Sequence, residues 1–139
     1  MQCTRILEFD AGHRLINHES KCKYLHGHRY KIEISFYADH LDQIGRVVDF
    51  SCIKKILGTW IDSNLDHTTI LHIDDKNLGN AIEIETKQKI YYMDCNPTAE
   101  NIVKHLFEDI IPSLFIKTDI KCSSIKLHET PNCSVKISK

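Results

Sequence analysis

Between residues 28 and 38 the chain alternates without a break. His28, Tyr30, Ile32, Ile34, Phe36 and Ala38 fall on one side of an extended strand, and Arg29, Lys31, Glu33 and Ser35 on the other. Such a strand has one buried face and one polar face. Residues 3–9 read as a strand ahead of it. A short extended piece ends at Val47–Phe50, and a helix follows, capped by Asp49 or Ser51. Its apolar stripe is Ile53, Ile56, Leu57, Trp60 and Ile61. Residues 66–95 carry the weakest pattern, with Lys89–Met93 as a short strand at their end. Asn96-Pro97-Thr98 opens a second helix, with Asn as cap and Pro at the first helical position. Ile102, Val103, Leu106, Phe107, Ile110 and Ile111 form its stripe. Two strands close the chain around a Pro131-Asn132 turn, with Ile125, Leu127 and Glu129 on one face of the first and Val135 and Ile137 on one face of the second.

Hairpins at both ends and helices between them predict an α+β fold, a four-stranded antiparallel sheet with two helices on one face. The open edges of such a sheet favour self-assembly. The 139 residues suit one domain, 1–139. Lys+Arg 18 against Asp+Glu 19 leaves a net charge of -1, which argues against a general nucleic-acid binder. No apolar run approaches the ~20 residues that span a bilayer, and Glu8 interrupts the N-terminal stretch where a signal peptide is apolar, so a cytoplasmic address is expected. Cys3, Cys22, Cys52, Cys95, Cys122 and Cys133 stand singly, without a C-x-x-C pair. Free thiols are the expectation, and a zinc ribbon is not.

Chemistry concentrates in the histidines. His26 and His28 are two apart on a strand, on one face, with Gly27 between them. If the first two strands pair antiparallel, His13 at the end of one meets His26 and His28 at the start of the other. Three imidazoles without a fourth protein ligand describe a zinc site with an open position. Any one of these histidines also fits a surface or hydrogen-bonded core role. Cys22 precedes His26 by four residues, between Lys21 and Lys23, where a thiolate is favoured. Asp66-His67 is a carboxylate–imidazole pair able to relay protons. Glu129 ends an apolar strand face, either exposed at a strand end or reserved for a ligand with two adjacent N–H groups.

Taken in order, Phe9-x-Ala11-x-His13-Arg14-Leu15, Cys22-x-x-x-His26-Gly27-His28-x-Tyr30, Gly45-x-Val47-x-Asp49-Phe50, Leu65-Asp66-His67, Asn96-Pro97-Thr98-Ala99-Glu100-Asn101 and Glu129-Thr130 resemble the 6-pyruvoyl-tetrahydropterin synthase family, and within it the bacterial 6-carboxy-tetrahydropterin branch of queuosine biosynthesis. The resemblance implies the tunnelling fold and a homo-oligomer, a hexamer built as a dimer of trimers. It implies one Zn2+ per chain on His13, His26 and His28, with Cys22 as base, Asp66 and His67 as relay, Glu129 as pterin anchor and Thr98 beside it. The implied substrate is 7,8-dihydroneopterin triphosphate. The implied products are 6-carboxy-5,6,7,8-tetrahydropterin, acetaldehyde and triphosphate. The short spacing of Cys22 from His26 favours this branch over its sister reaction, triphosphate elimination to a 6-pyruvoyl product. The rival from another class is a zinc-binding module without catalysis. Arg14, Lys21 and His18 are near enough in sequence to be candidates for meeting the triphosphate, and nothing in the sequence selects among them. Residues 72–95 exceed the compact pattern of the family and read as an insertion, at the surface or at a subunit contact.

Overall fold

The computed structural model describes residues 1–118 and 120–139. Its centre is the hairpin of β1 (Gln2–His13) and β2 (His26–Tyr37), antiparallel over their whole length from Gln2 opposite Tyr37 to His13 opposite His26. The alternation of residues 28–38 is realised as expected: Tyr30, Ile32, Ile34 and Phe36 are wholly buried. On the opposite face Asp10 pairs with Arg29 at 2.7 Å, and Glu33 accepts from His128 at 2.9 Å.

The sheet has six strands, not four, and it is mixed. The order is β4-β3-β1-β2-β5-β6, with β3 (Thr68–His72), β4 (Ile90–Met93), β5 (Lys121–Thr130) and β6 (Cys133–Ser138). The antiparallel four, β1, β2, β5 and β6, are those the hairpins predict. Beyond them β3 runs parallel to β1 at Ala11–His13, and β4 runs parallel to β3. The short strand expected at Lys89–Met93 is β4, whereas β3 carries no pattern in the sequence for a physical reason. Thr68, Thr69, Ile70 and Leu71 are all buried, so β3 shows no alternation to detect.

The helical segments number more than two. The first rod starts as α1 (Phe50–Ile53), passes a π-turn at Lys54–Gly58 and ends as α2 (Thr59–Asn64). Helix α3 (Lys76–Thr86) is the crossover between the parallel strands β3 and β4. The last rod is α4 (Ala99–His105), a π-turn at Leu106–Ile110, and α5 (Ile111–Leu114). Pro112 has no N–H to give, and the widened turn ahead of it absorbs the break. Ile53, Leu57 and Ile61 of the first rod and Ile102, Leu106 and Ile111 of the last meet Ile32, Ile34, Phe36, Ile125 and Leu127 in one core. Both apolar stripes thus point where their spacing directs them.

Two local expectations change. Val47–Phe50 forms no strand; Asp49 caps α1 by accepting from the Ser51 N–H at 2.8 Å. Thr98, not Asn96, caps α4, its hydroxyl oxygen accepting from the Asn101 N–H at 3.2 Å. The Asn96 amide is occupied elsewhere: it accepts from the Ile16 N–H and donates to the Ile16 carbonyl, both at 2.9 Å.

Candidate active site

The β1–β2 register decides the site. His13 and His26 share the last rung of the hairpin, and their Nε2 atoms stand 3.2 Å apart. His28, two residues along β2, completes a cluster whose ligand atoms all lie within 4.8 Å of one another. Gly27 makes the close rung possible: a Cβ there would lie 3.0 Å from the Ala11 carbonyl oxygen.

Backbone carbonyls set the tautomers. A carbonyl only accepts, so His13 Nδ1–H donates to Pro97 O at 2.8 Å and His26 Nδ1–H donates to Tyr24 O at 2.7 Å. Both rings therefore present a bare Nε2 to the cluster, the arrangement that orients metal-binding histidines. The Tyr30 hydroxyl stands 3.2 Å from His13 Nδ1. His28 Nε2 is buried and has no hydrogen-bond partner among the described residues. Burial pushes His13 down to about 4 and lowers His28 as well, so both rings are neutral at neutral pH, the form that binds a metal.

Glu129 of β5 closes the cluster, with Oε1 3.8 Å from His13 Nε2 and 4.0 Å from His28 Nε2. Cys22 lies in a single 3-10 turn, Lys21–Lys23, and the Leu15 N–H ties that loop to β1 by donating to the Cys22 carbonyl at 2.9 Å. Cys22, Thr98 and Glu129 line one depression of about 370 Å3 with His13, His18 and Cys133. Burial pushes the thiol of another cysteine, Cys122, up to about 11, which makes it unreactive.

Asp66 and His67 belong to a different wall. Asp66 Oδ1 accepts from the Asp10 N–H and Oδ2 from His67 Nδ1, both at 2.8 Å. The His67 ring is exposed and lines a second depression, of about 420 Å3, with His28, Gly27, Arg29 and Gln88. The structure thus brings His13, His26, His28, Glu129, Cys22 and Thr98 together and sets the Asp66–His67 pair apart from the thiol.

Arg14 is corrected as a phosphate contact. Its Nε donates to Asp75 Oδ2, and its Nη2 donates to Asp75 Oδ1 at 2.6 Å, where Asp75 is buried. The fork that could hold phosphate already holds a carboxylate. Sequence reading also misses the carbonyls of Pro97 and Tyr24 and the hydroxyl of Tyr30. Backbone acceptors leave no side-chain signature, and Tyr30 reads as one more apolar-face residue.

Three clustered imidazoles, two on the end rung of an antiparallel hairpin and the third two residues along β2, with a carboxylate and a thiol beside them, define a metal-ready enzyme pocket. The family model for 6-pyruvoyl tetrahydropterin synthase matches residues 2–139, and the chain belongs to that family. Within it, the chain is 54% identical over 137 residues, 99% of each chain, to the 6-carboxy-5,6,7,8-tetrahydropterin synthase of Rickettsia conorii. It is 30% identical over 128 residues, 88% of each chain, to the enzyme of that name from Haemophilus influenzae. Among solved structures, an uncharacterized protein from Wolinella succinogenes superposes with a TM-score of 0.83 at 23% identity, covering 100% of this chain and 98% of that one. The 6-pyruvoyl tetrahydropterin synthase of Caenorhabditis elegans gives 0.68 at 21% identity, covering 100% and 95%. These two likenesses concern the fold.

Proposed function

We propose that the chain is a lyase of queuosine biosynthesis that converts 7,8-dihydroneopterin triphosphate and one water into 6-carboxy-5,6,7,8-tetrahydropterin, acetaldehyde and triphosphate. The observation that carries this reading is the 54% identity, over 99% of both chains, with relatives named for that product.

The donor set fits a zinc ion: three imidazoles, two of them oriented by carbonyls and the third with a buried nitrogen unpartnered among the described residues. His13, His26 and His28 would hold one Zn2+ per chain, which would supply Lewis-acid polarisation of the substrate's side-chain oxygens and of the adjoining C–H and O–H groups. The chain's own groups do the rest. The Cys22 thiolate takes a proton from the substrate side chain. His67 passes protons through Nε2, because its Nδ1–H is committed to Asp66. Glu129 accepts two ring N–H groups and fixes the pterin so that its side chain reaches the metal. Thr98 accepts at its hydroxyl oxygen as a helix cap, which leaves its O–H free to donate to the ring.

The working form is a homo-oligomer, a hexamer built as a dimer of trimers. Two facts support assembly. Among the described residues β1 pairs over Gln2–Phe9 with β2 alone, and β6 pairs with β5 alone, so two long edges are open. The thiol and the relay line different depressions of one chain, so the substrate site is completed between copies.

An alcohol dehydrogenase–coupled assay tests the reaction. Acetaldehyde equal to the triphosphate released is the expected outcome; triphosphate without acetaldehyde transfers the chain to the 6-pyruvoyl branch. Metal analysis tests the centre. About one zinc per chain is expected, lost in His26→Ala with the fold retained by circular dichroism, whereas full zinc in that variant refutes the ligand set.

A further inference from the structure

His67 is held in a conformation that its type avoids, with φ 55°. A residue other than glycine keeps such a backbone only where its surroundings over-determine it. Two restraints come from β1: the His67 N–H donates to Asp10 O at 2.7 Å, and Asp66 accepts from the Asp10 N–H. A third comes from 72–95. Gln88 Nε2 donates to the His67 carbonyl at 3.3 Å, while Gln88 Oε1 accepts from the Thr69 hydroxyl at 2.6 Å. The orientation of this amide is forced, because the His67 carbonyl has no proton to give and must receive the NH2 end.

The chain delivers Gln88 to that place by a defined route. Helix α3 ends at Lys87 in the left-handed region, φ 61°, and the Thr86 hydroxyl oxygen accepts from the Gln88 N–H at 3.1 Å. Beside it, Lys89 Nζ donates to Ser63 O at 2.7 Å and to Asn64 Oδ1 at 3.2 Å, tying down the turn before Asp66. Gln88 also lines the same depression as the His67 ring and His28.

We propose that Gln88 is a positioning residue for the proton relay: its amide, carried in by the α3–β4 segment, clamps residues 67–69 and fixes the direction in which the His67 ring meets the substrate. The segment 72–95 is then part of the active site's support. The inference rests on the relay role given above to His67.

The test uses the zinc-loaded full chain with Gln88→Ala and Thr69→Val, the second removing only the hydroxyl that anchors the far end of the amide. The expected result for each is a kcat lowered about tenfold with KM and zinc content unchanged, since small misplacement of a catalytic group acts on the chemical step. The limb of the kcat–pH profile that His67→Ala abolishes should also move. A support for folding alone would lower thermal stability and leave the kcat of the folded enzyme intact. A kcat within twofold of wild type in both variants overturns the proposal. Amide hydrogen exchange at His67 and Thr68 provides a readout independent of turnover: faster exchange in Gln88→Ala supports the clamp, and unchanged exchange overturns it. An inactive wild type with faster exchange in the variant would refute the proposed reaction and leave the clamp standing.

Discussion

Arg14 stands next to His13 of the cluster and turns away from it. Its guanidinium grips the buried carboxylate of Asp75, 61 residues further on. Removing one partner of such a pair strands the other, which costs more than the pair itself contributes. Arg14→Ala should lose about 3 kcal/mol by urea unfolding, the low end for a buried pair because Arg14 is partly exposed. The double variant Arg14→Met with Asp75→Leu should recover most of that loss, and a double variant as unstable as the single would reject the ion-pair account. A basic residue beside His13 looks free in the sequence because its partner is distant. By contrast His13, His26 and His28 are legible together, since the hairpin register that joins them follows from the alternation of two neighbouring strands.

At the scale of elements, legibility follows periodicity. β2 alternates, both helical rods carry an apolar stripe, and all three lie close to where the pattern puts them. β3 is buried on both faces and α3 is a mostly exposed crossover, so neither shows the contrast that a pattern needs. One close approach constrains where α3 lies. Gly79 packs against Tyr92 of β4, and a Cβ at residue 79 would lie 2.0 Å from the Tyr92 hydroxyl. Gly79→Ala must therefore displace either the ring or the helix, and a loss of about 1–3 kcal/mol is expected, as for other overpacked sites. The gain in helix propensity of up to about 1 kcal/mol works in the opposite direction. Adding Tyr92→Leu should relieve the clash, read as a rise in Tm over Gly79→Ala alone. No rise would mean that the helix end, not the ring, is the obstacle.

For the whole molecule, the separation of thiol and relay gives a test that neither residue offers alone. Cys22→Ala and His67→Ala chains should each be inactive, because loss of an acid–base group commonly costs ~10²–10⁴-fold. Co-refolded in equal amounts, they should recover about a quarter of wild-type activity, the share of subunit contacts that pair an intact thiol with an intact relay. Recovery absent in a mixture shown to have exchanged subunits would place both groups of one site on the same chain.

The open outer sides of β1 over Gln2–Phe9 and of β6, among the described residues, carry one more consequence, which belongs to mass action. In the proposed oligomer, association would supply both the missing ladder bonds and the missing half of a site, making the protein a reactant in its own activation. Turnover per chain should then fall on dilution, and the melting temperature should rise with protein concentration.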